Sequence, residues 1–344
     1  YAIRGVVRRL GRGVACVCSY PCRCGDALDT RTALLADMAD SSAPQDPGWV
    51  ALQLCDVATP GTVHSDPVPP VSPEEALAAG AAVIQWQMTE PFSAFALGRL
   101  GISTLRPIVP GLSPLLRGNL IHGAALHLYA DRPSQSDIRG WLDADIEQRI
   151  DAAVNRAFPR YERHTDGVLR ELFALERQRV ARLLRELVDV DLQRESFSIR
   201  DVELSTEIDL DGVRLGLRID RIDRLDDGAV AILDYKTGGR RKFLDGGGEP
   251  VDAQLLVYAM AVEDPVAALG FYNIDSRETA LDASGRDVMG AEDWQQALDR
   301  WTQAVAAAAV EFAAGDVRIR YWQTLRDARS LNILSRFGEI RRDA

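Results

Sequence analysis

Val213-Arg-Leu-Gly-Leu-Arg-Ile-Asp220-Arg-Ile-Asp-Arg-Leu225-Asp-Asp-Gly228-Ala-Val-Ala-Ile-Leu-Asp234-Tyr-Lys236-Thr-Gly238 is the stretch that decides the fold. Val213, Leu215, Leu217 and Ile219 alternate with Arg214, Gly216, Arg218 and Asp220, the period of a half-buried strand. Asp226-Asp227-Gly228 supplies a turn, and Ala229 to Lys236 reads as a second, more buried strand. A three-residue turn pairs Leu225 with Ala229, which sets Ile222 against Ile232 and Asp220 against Asp234. A two-residue Asp-Gly turn would shift the register by one and send the two acids to opposite faces. The first register is preferred because it groups isoleucine with isoleucine.

Residues opposed across a strand pair have Cβ atoms roughly 5 Å apart, where two like charges repel. Either one acid holds a proton or a cation sits between them. A hard divalent ion such as Mg²⁺, bound through one or two carboxylates, waters and a phosphate, suits that arrangement. Lys236 lies two residues past Asp234 and so on the same face. It is one of only two lysines, with Lys242, among 40 lysines and arginines. An ammonium is a compact point charge whose pKa can be tuned, whereas a guanidinium stays protonated. Asp-x-Lys after an apolar run is what a metal-dependent phosphodiesterase needs: an acid for the cation and an amine for the attacking water. The tripeptide alone is equally the end of a strand with a solvated acid and lysine.

At 344 residues and 47% hydrophobic, the chain can bury one sizeable core with length left for a small unit or tails. No stretch approaches the roughly 20 apolar residues of a membrane span. The start, Tyr-Ala-Ile-Arg, has no signal-peptide pattern, which sets the expectation of a cytoplasmic piece of a longer protein. A net charge of −11 argues against a nonspecific nucleic-acid coat, yet allows a local basic track beside an acidic site. Cys16, Cys18, Cys22 and Cys24 have spacing unlike zinc sites and read as reduced thiols in a poorly ordered segment.

Residues 1–75 read as a tail or the remnant of an upstream domain, with a Ser-, Pro- and Gly-rich linker from Asp40 to Pro73. Order is expected from Ser72-Pro73-Glu74-Glu75, a helix start. Residues 76–344 form the main domain: a helical part over 80–195, an α/β core over 196–275, and C-terminal helices over 290–344. Leu169, Leu172, Phe173, Val180, Leu183, Leu184 and Leu187 make one helical stripe, with Arg170, Arg177, Arg182 and Arg185 on its solvated side. Asp252 to Val262 reads as a helix, Ala267 to Ile274 as a strand, and Asp293 to Ala314 as a long helix. Strands among helices indicate an α/β fold.

His122, in Gly118-Asn119-Leu120-Ile121-His122, opens an otherwise apolar helix and by itself reads as a packed histidine. Gln254 and Tyr258, four apart, share a helix face that could simply be the solvent side. Taken together, Gly118-x3-His122, Gly216-x3-Asp220-Arg221-Ile-Asp223, Ile232-Leu-Asp234-Tyr-Lys236-Thr-Gly238 and Gln254-x3-Tyr258-Ala259 resemble the PD-(D/E)xK nuclease superfamily in its RecB-like branch. Pro91-Phe92-Ser93-Ala94-Phe95 ahead of Arg99-Leu100-Gly101 is similar to the AddB-like, helicase-associated group of bacterial DNA-repair nucleases. The match runs from about Gln85 to Gly338.

The resemblance implies a restriction-endonuclease-like core: a mixed central sheet flanked by helices, with an added helical region. It implies a DNA nuclease, exonuclease-like, acting in repair or recombination and fused to or partnered with a helicase-like domain. His122, Asp220, Asp234 and the carbonyl of Tyr235 would hold Mg²⁺ or Mn²⁺. Lys236 would act on the water, with Asp234, Asp220, Gln254 and Tyr258 completing the catalytic set. Glu203 matches an acid on the preceding strand. Arg218, Arg221, Arg240, Arg241 and Lys242 would offer phosphate contacts. Many relatives tie the domain ends with an iron–sulfur cluster, but Glu90 stands at the first ligand position and Ala328 to Phe337 holds no cysteine, so no cluster is expected. Neither lysine lies in a Gly-x4-Gly-Lys-Ser/Thr loop. The alternative is a catalytically inactive DNA-binding or scaffolding module on the same fold.

Overall fold

The computed structural model describes residues 68–318 except 73, 74, 76, 78, 104–109, 164–166 and 276, together with four residues upstream. By its contacts the chain divides into units Tyr1–Asp66 and Pro67–Ala344. In the first, Arg23–Cys24 pairs antiparallel with Ala27–Leu28. Cys16, Cys18 and Cys22, the Asp40 to Asp66 part of the linker, Pro73 and Glu74 of the expected helix start, and the C-terminal stretch 319–344 lie outside the described residues.

The second unit is built on five strands: β1 (Phe197–Leu210), β2 (Val213–Leu225), β3 (Val230–Lys236), β4 (Val266–Ile274) and β5 (Thr279–Gly285). They lie in sequence order, antiparallel except for the parallel pair β3–β4. This is the mixed, helix-flanked sheet of a restriction-endonuclease-like α/β fold. The helices that matter here are α1 (Ala82–Thr89), α2 (Pro114–Leu128), α3 (Gln135–Arg139), α4 (Asp143–Ala157), α5 (Pro159–Glu162), α6 (Gly167–Gln193), α7 (Gln254–Met260) and α8 (Ala291–Ala313). No helix among the described residues is long and apolar enough to cross a membrane.

The hairpin register is the three-residue one. Leu225 N–H donates to Ala229 O (2.8 Å), Gly228 takes the left-handed φ of 88° that such a turn needs, and Ile222 faces Ile232. Each face of the sheet buries its own core. Ile219, Ile222 and Ile232 pack with α1, α7 and α8, and Leu233, Tyr235 and Tyr272 pack with α2, α4 and α6. The α6 stripe is buried from Phe173 to Leu187, but its first residue, Leu169, is exposed. β5 carries no alternation in Thr-Ala-Leu-Asp-Ala-Ser-Gly. It pairs through close backbone approach, and a Cβ on Gly270 of β4 would stand 2.8 Å from Ala283 Cα.

Candidate active site

Both ladders that flank β2 skip Asp220. The β1–β2 pairing passes from Val202↔Arg221 to Leu204↔Ile219, and the β2–β3 pairing ends at Arg221↔Leu233. The Asp220↔Asp234 rung of the expected register is therefore not formed, because the strands part just where the two acids would collide. Asp220 fills the gap with its own carboxylate: Oδ2 accepts the backbone N–H of Tyr235 at 2.8 Å, and Oδ1 lies 3.3 Å from His122 Nδ1. Opposite Asp220, Glu203 adopts a left-handed φ of 46° inside β1, an uncommon backbone for a residue with a Cβ. Its carboxylate joins those of its neighbours: ligand atoms of His122, Glu203 and Asp220 all lie within 4.8 Å of one another.

Asp234 stands next to that trio, and Lys236 Nζ sits 2.8 Å from its Oδ2. Gln254, at the start of α7, ties the pair together. Its Oε1 accepts from Lys236 Nζ at 2.7 Å, and its Nε2 donates to Asp234 Oδ1 at 2.9 Å. Tyr258, one helical turn on, accepts from Gln254 Nε2 and donates to the carbonyl of Arg218 (2.9 Å). That chain leaves the Gln254 amide one orientation. His122 lies in the third turn of α2 rather than at its start, held edge-on against Tyr235 with ring centroids 5.7 Å apart. α2 can approach β3 this closely because Gly118 has no Cβ; one there would come 2.9 Å from Thr237 Oγ1.

The site is rich in acid and short of cation. Burial, then the charge of Asp220, push the Asp234 carboxyl up to about 7 against the pull of Lys236. Burial lowers His122, but its hydrogen bond to Asp220 and the charges of Asp220, Asp234 and Glu203 outweigh this and lift it above its ordinary value. Asp234 Oδ2 is buried without a hydrogen bond, since Lys236 lies at ion-pair distance but off a hydrogen-bonding angle. An imidazole and three carboxylates fit a divalent cation. His122, Asp220, Asp234 and Lys236 line a cleft of about 610 Å³ together with Trp86, Tyr235 and Gln254.

Of the expected phosphate contacts, Arg218 and Arg241 border this cleft with side chains 59% and 62% exposed. Arg240 and Lys242 are exposed on the following loop. Arg221 is a correction: it is fully buried and no phosphate reaches it. It points to the other face of the sheet, where Asp191 (2.8 Å) and Asp223 (2.7 Å) neutralise it and the Tyr129 ring stacks 4.7 Å from its guanidinium. Sequence reasoning also passed over Gln85, whose Oε1 accepts the Ala253 N–H (2.5 Å) and steadies the start of α7. Gln85, one of two glutamines with Gln87 in a largely apolar helix, carries no signal of that contact.

The family model of the PD-(D/E)XK nuclease superfamily matches residues 91–323. No curated protein matches the chain significantly. Among solved structures, one titled "Crystal structure of SSO0001" is 12% identical over 74% of this chain and 95% of its own, with a TM-score of 0.26, a likeness too slight to argue from.

Proposed function

The chain belongs to the PD-(D/E)XK nuclease superfamily, and from that premise we propose that it is an active, metal-dependent deoxyribonuclease with its centre at Asp220, Asp234 and Lys236. The observation that carries this reading is the Lys236 ammonium held 2.8 Å from Asp234, with Gln254 bonded to both, beside the His122–Asp220 pair.

His122, Asp220, Glu203 and Asp234, with the carbonyl of Tyr235, would hold Mg²⁺ or Mn²⁺. Such an ion, when bound, makes water a nucleophile near neutral pH and offsets charge on the phosphate. Lys236 orients the water and faces the charge that develops on a non-bridging phosphate oxygen. Gln254 is a positioning residue, since it sets the direction of the Lys236 ammonium while its other end fixes Asp234. Tyr258 acts one step further out by fixing the Gln254 amide. Arg218 and Arg241 at the cleft border draw in the strand. Water's oxygen bonds to phosphorus as the bond to the 3′ oxygen breaks, leaving 5′-phosphate and 3′-hydroxyl ends. Cleavage from strand ends, a role in repair or recombination, and a helicase-like partner in a bacterial cytoplasm complete the reading, on the motif resemblance alone.

The test is cleavage of single- and double-stranded DNA by wild type, Lys236→Ala and Asp234→Ala, with Mg²⁺ and with EDTA. Wild type with Mg²⁺ should cut, and each variant should lose about a thousandfold or more, in line with removal of a preorganised charge. Equal activity in every sample would sink the catalytic reading, and binding without cleavage by wild type would favour an inactive module.

A further inference from the structure

His122 has a cavity on its other side. It measures about 180 Å³ and shares His122, Glu203 and Arg218 with the site just described. Its remaining polar wall is basic. Arg156 at the end of α4 and Arg160 in α5 are four residues apart, and both face His127 of α2. Burial, then the charges of Arg156 and Arg160, hold His127 below its ordinary value, as expected where two guanidinium groups converge on one space. Among the described residues no acid pairs with either arginine. Arg160 bonds only to the Tyr161 hydroxyl and lies over that ring, 4.5 Å from its centroid, while Arg156 has no ion pair or hydrogen bond. These are two unneutralised charges beside a nuclease centre, in a protein whose net charge is −11.

The space is well below the roughly 300 Å³ at which clefts for drug-sized ligands begin, so it suits a small anion better than a base or a nucleoside. Arginine presents a planar fork that matches phosphate oxygens two at a time. We propose that this cavity is a subsite for a second phosphate of the substrate strand, next to the one being cut, with Arg156 and Arg160 as its principal contacts. The proposal rests on the nuclease reading of the adjoining site. The phosphate would come from a terminal monoester or from the neighbouring internal diester.

Cleavage kinetics of the full chain separate these sources. Single-stranded DNA with phosphorylated ends is compared with the same strand ending in hydroxyls. The enzymes are wild type, the double variant Arg156→Gln/Arg160→Gln, and Arg170→Gln, an exposed charge on α6 outside the cavity. The double variant should raise KM about tenfold, by more than kcat falls, and flatten the salt dependence of binding by about 0.7, the slope of one phosphate on a single strand. A rise confined to phosphorylated ends assigns the terminal monoester; a rise on both strands assigns the internal diester. No rise, or the same rise in Arg170→Gln, overturns the subsite. Should wild type cut neither strand, the nuclease reading has failed and the subsite is judged by binding. Fluorescence anisotropy in EDTA should then show about tenfold weaker binding by the double variant, and equal binding overturns it.

Discussion

Asp191 and Asp234 are both buried aspartates set against opposite faces of one sheet, and they have opposite acidities. Around Asp191 there are two guanidinium groups for two acids. Arg221 reaches Asp191 and Asp223, Arg194 reaches Asp223 at 2.6 Å, and Tyr129 donates to Asp191 at 2.7 Å. Burial alone would raise Asp191, but Arg221 and Arg194 hold it below the usual carboxylate range. Around Asp234 the balance tips towards acid, with Asp220 beside it, Glu203 beside Asp220 and one ammonium in contact, and the carboxyl rises to about 7. The first cluster is complete within the protein, whereas the second is built to receive charge from outside. Both depend on the same few residues of β2, where Asp220 and Arg221 are neighbours pointing apart.

The same substitution in the two places should therefore have opposite signs. Asp191→Asn leaves Arg221 buried with half its compensation and should cost about 3–5 kcal/mol, the loss expected when one partner of a buried ion pair is removed. Urea unfolding followed by circular dichroism measures it. A loss below about 1 kcal/mol would mean that the Asp191–Arg221 cluster is not the closed structural unit described here.

Much of this contrast was open to reading from the chain. Alternation from Val213 to Ile219 and the Asp-Asp-Gly turn determine the Ile222–Ile232 register, and that register brings Asp220 and Asp234 together. Lys236 shares their face by the two-residue period alone. The other half was hidden. Arg221 reads as a surface charge because its partner Asp191 lies thirty residues upstream, on a helix that only tertiary packing brings behind the sheet. β1 shows in the sequence only through the place of Glu203, because half of its residues are half-buried and a register shift between Ile199 and Asp201 interrupts its start. The parting of the ladders at Asp220 is likewise invisible, since it answers a repulsion that exists only once the strands have met.

Asp234→Asn takes the comparison to the other cluster and gives it a pH axis. In chelated protein, Asp234 titrates at about 7, above the roughly 3.9 of an unfolded aspartate. A raised folded value means the proton is bound more tightly in the folded state. Its stabilising effect is complete below about 4 and is lost as pH rises towards 7. Asparagine copies the protonated form at every pH. The variant should match wild type below about pH 4 and exceed it by about 3–4 kcal/mol at pH 8, while cleaving nothing. Mg²⁺ should stabilise wild type more at pH 8 than at pH 6, because the proton competes for the same oxygens. A wild-type minus variant difference that stays flat from pH 5 to pH 8 would show that Asp234 is an ordinary, solvated acid.

Glu203 offers the finest distinction, because there backbone and side chain can be separated. Its φ of 46° is strained for any residue with a Cβ and relaxed for glycine. Glu203→Gly should therefore leave stability unchanged or raise it by about 0.5–1 kcal/mol, although it removes a side chain and adds chain entropy to the unfolded state. Glu203→Gln keeps the strain, relieves the crowding of acids, and removes one of the charges that lift His122 above its ordinary value. Both variants should weaken Mn²⁺ binding measured by titration calorimetry, the glycine form more, and only the glycine form should relax the backbone. If Glu203→Gly instead destabilises by more than about 1 kcal/mol with Mn²⁺ affinity intact, the acid serves the sheet and not the cation, and Glu203 belongs with Asp191 on the structural side of the comparison.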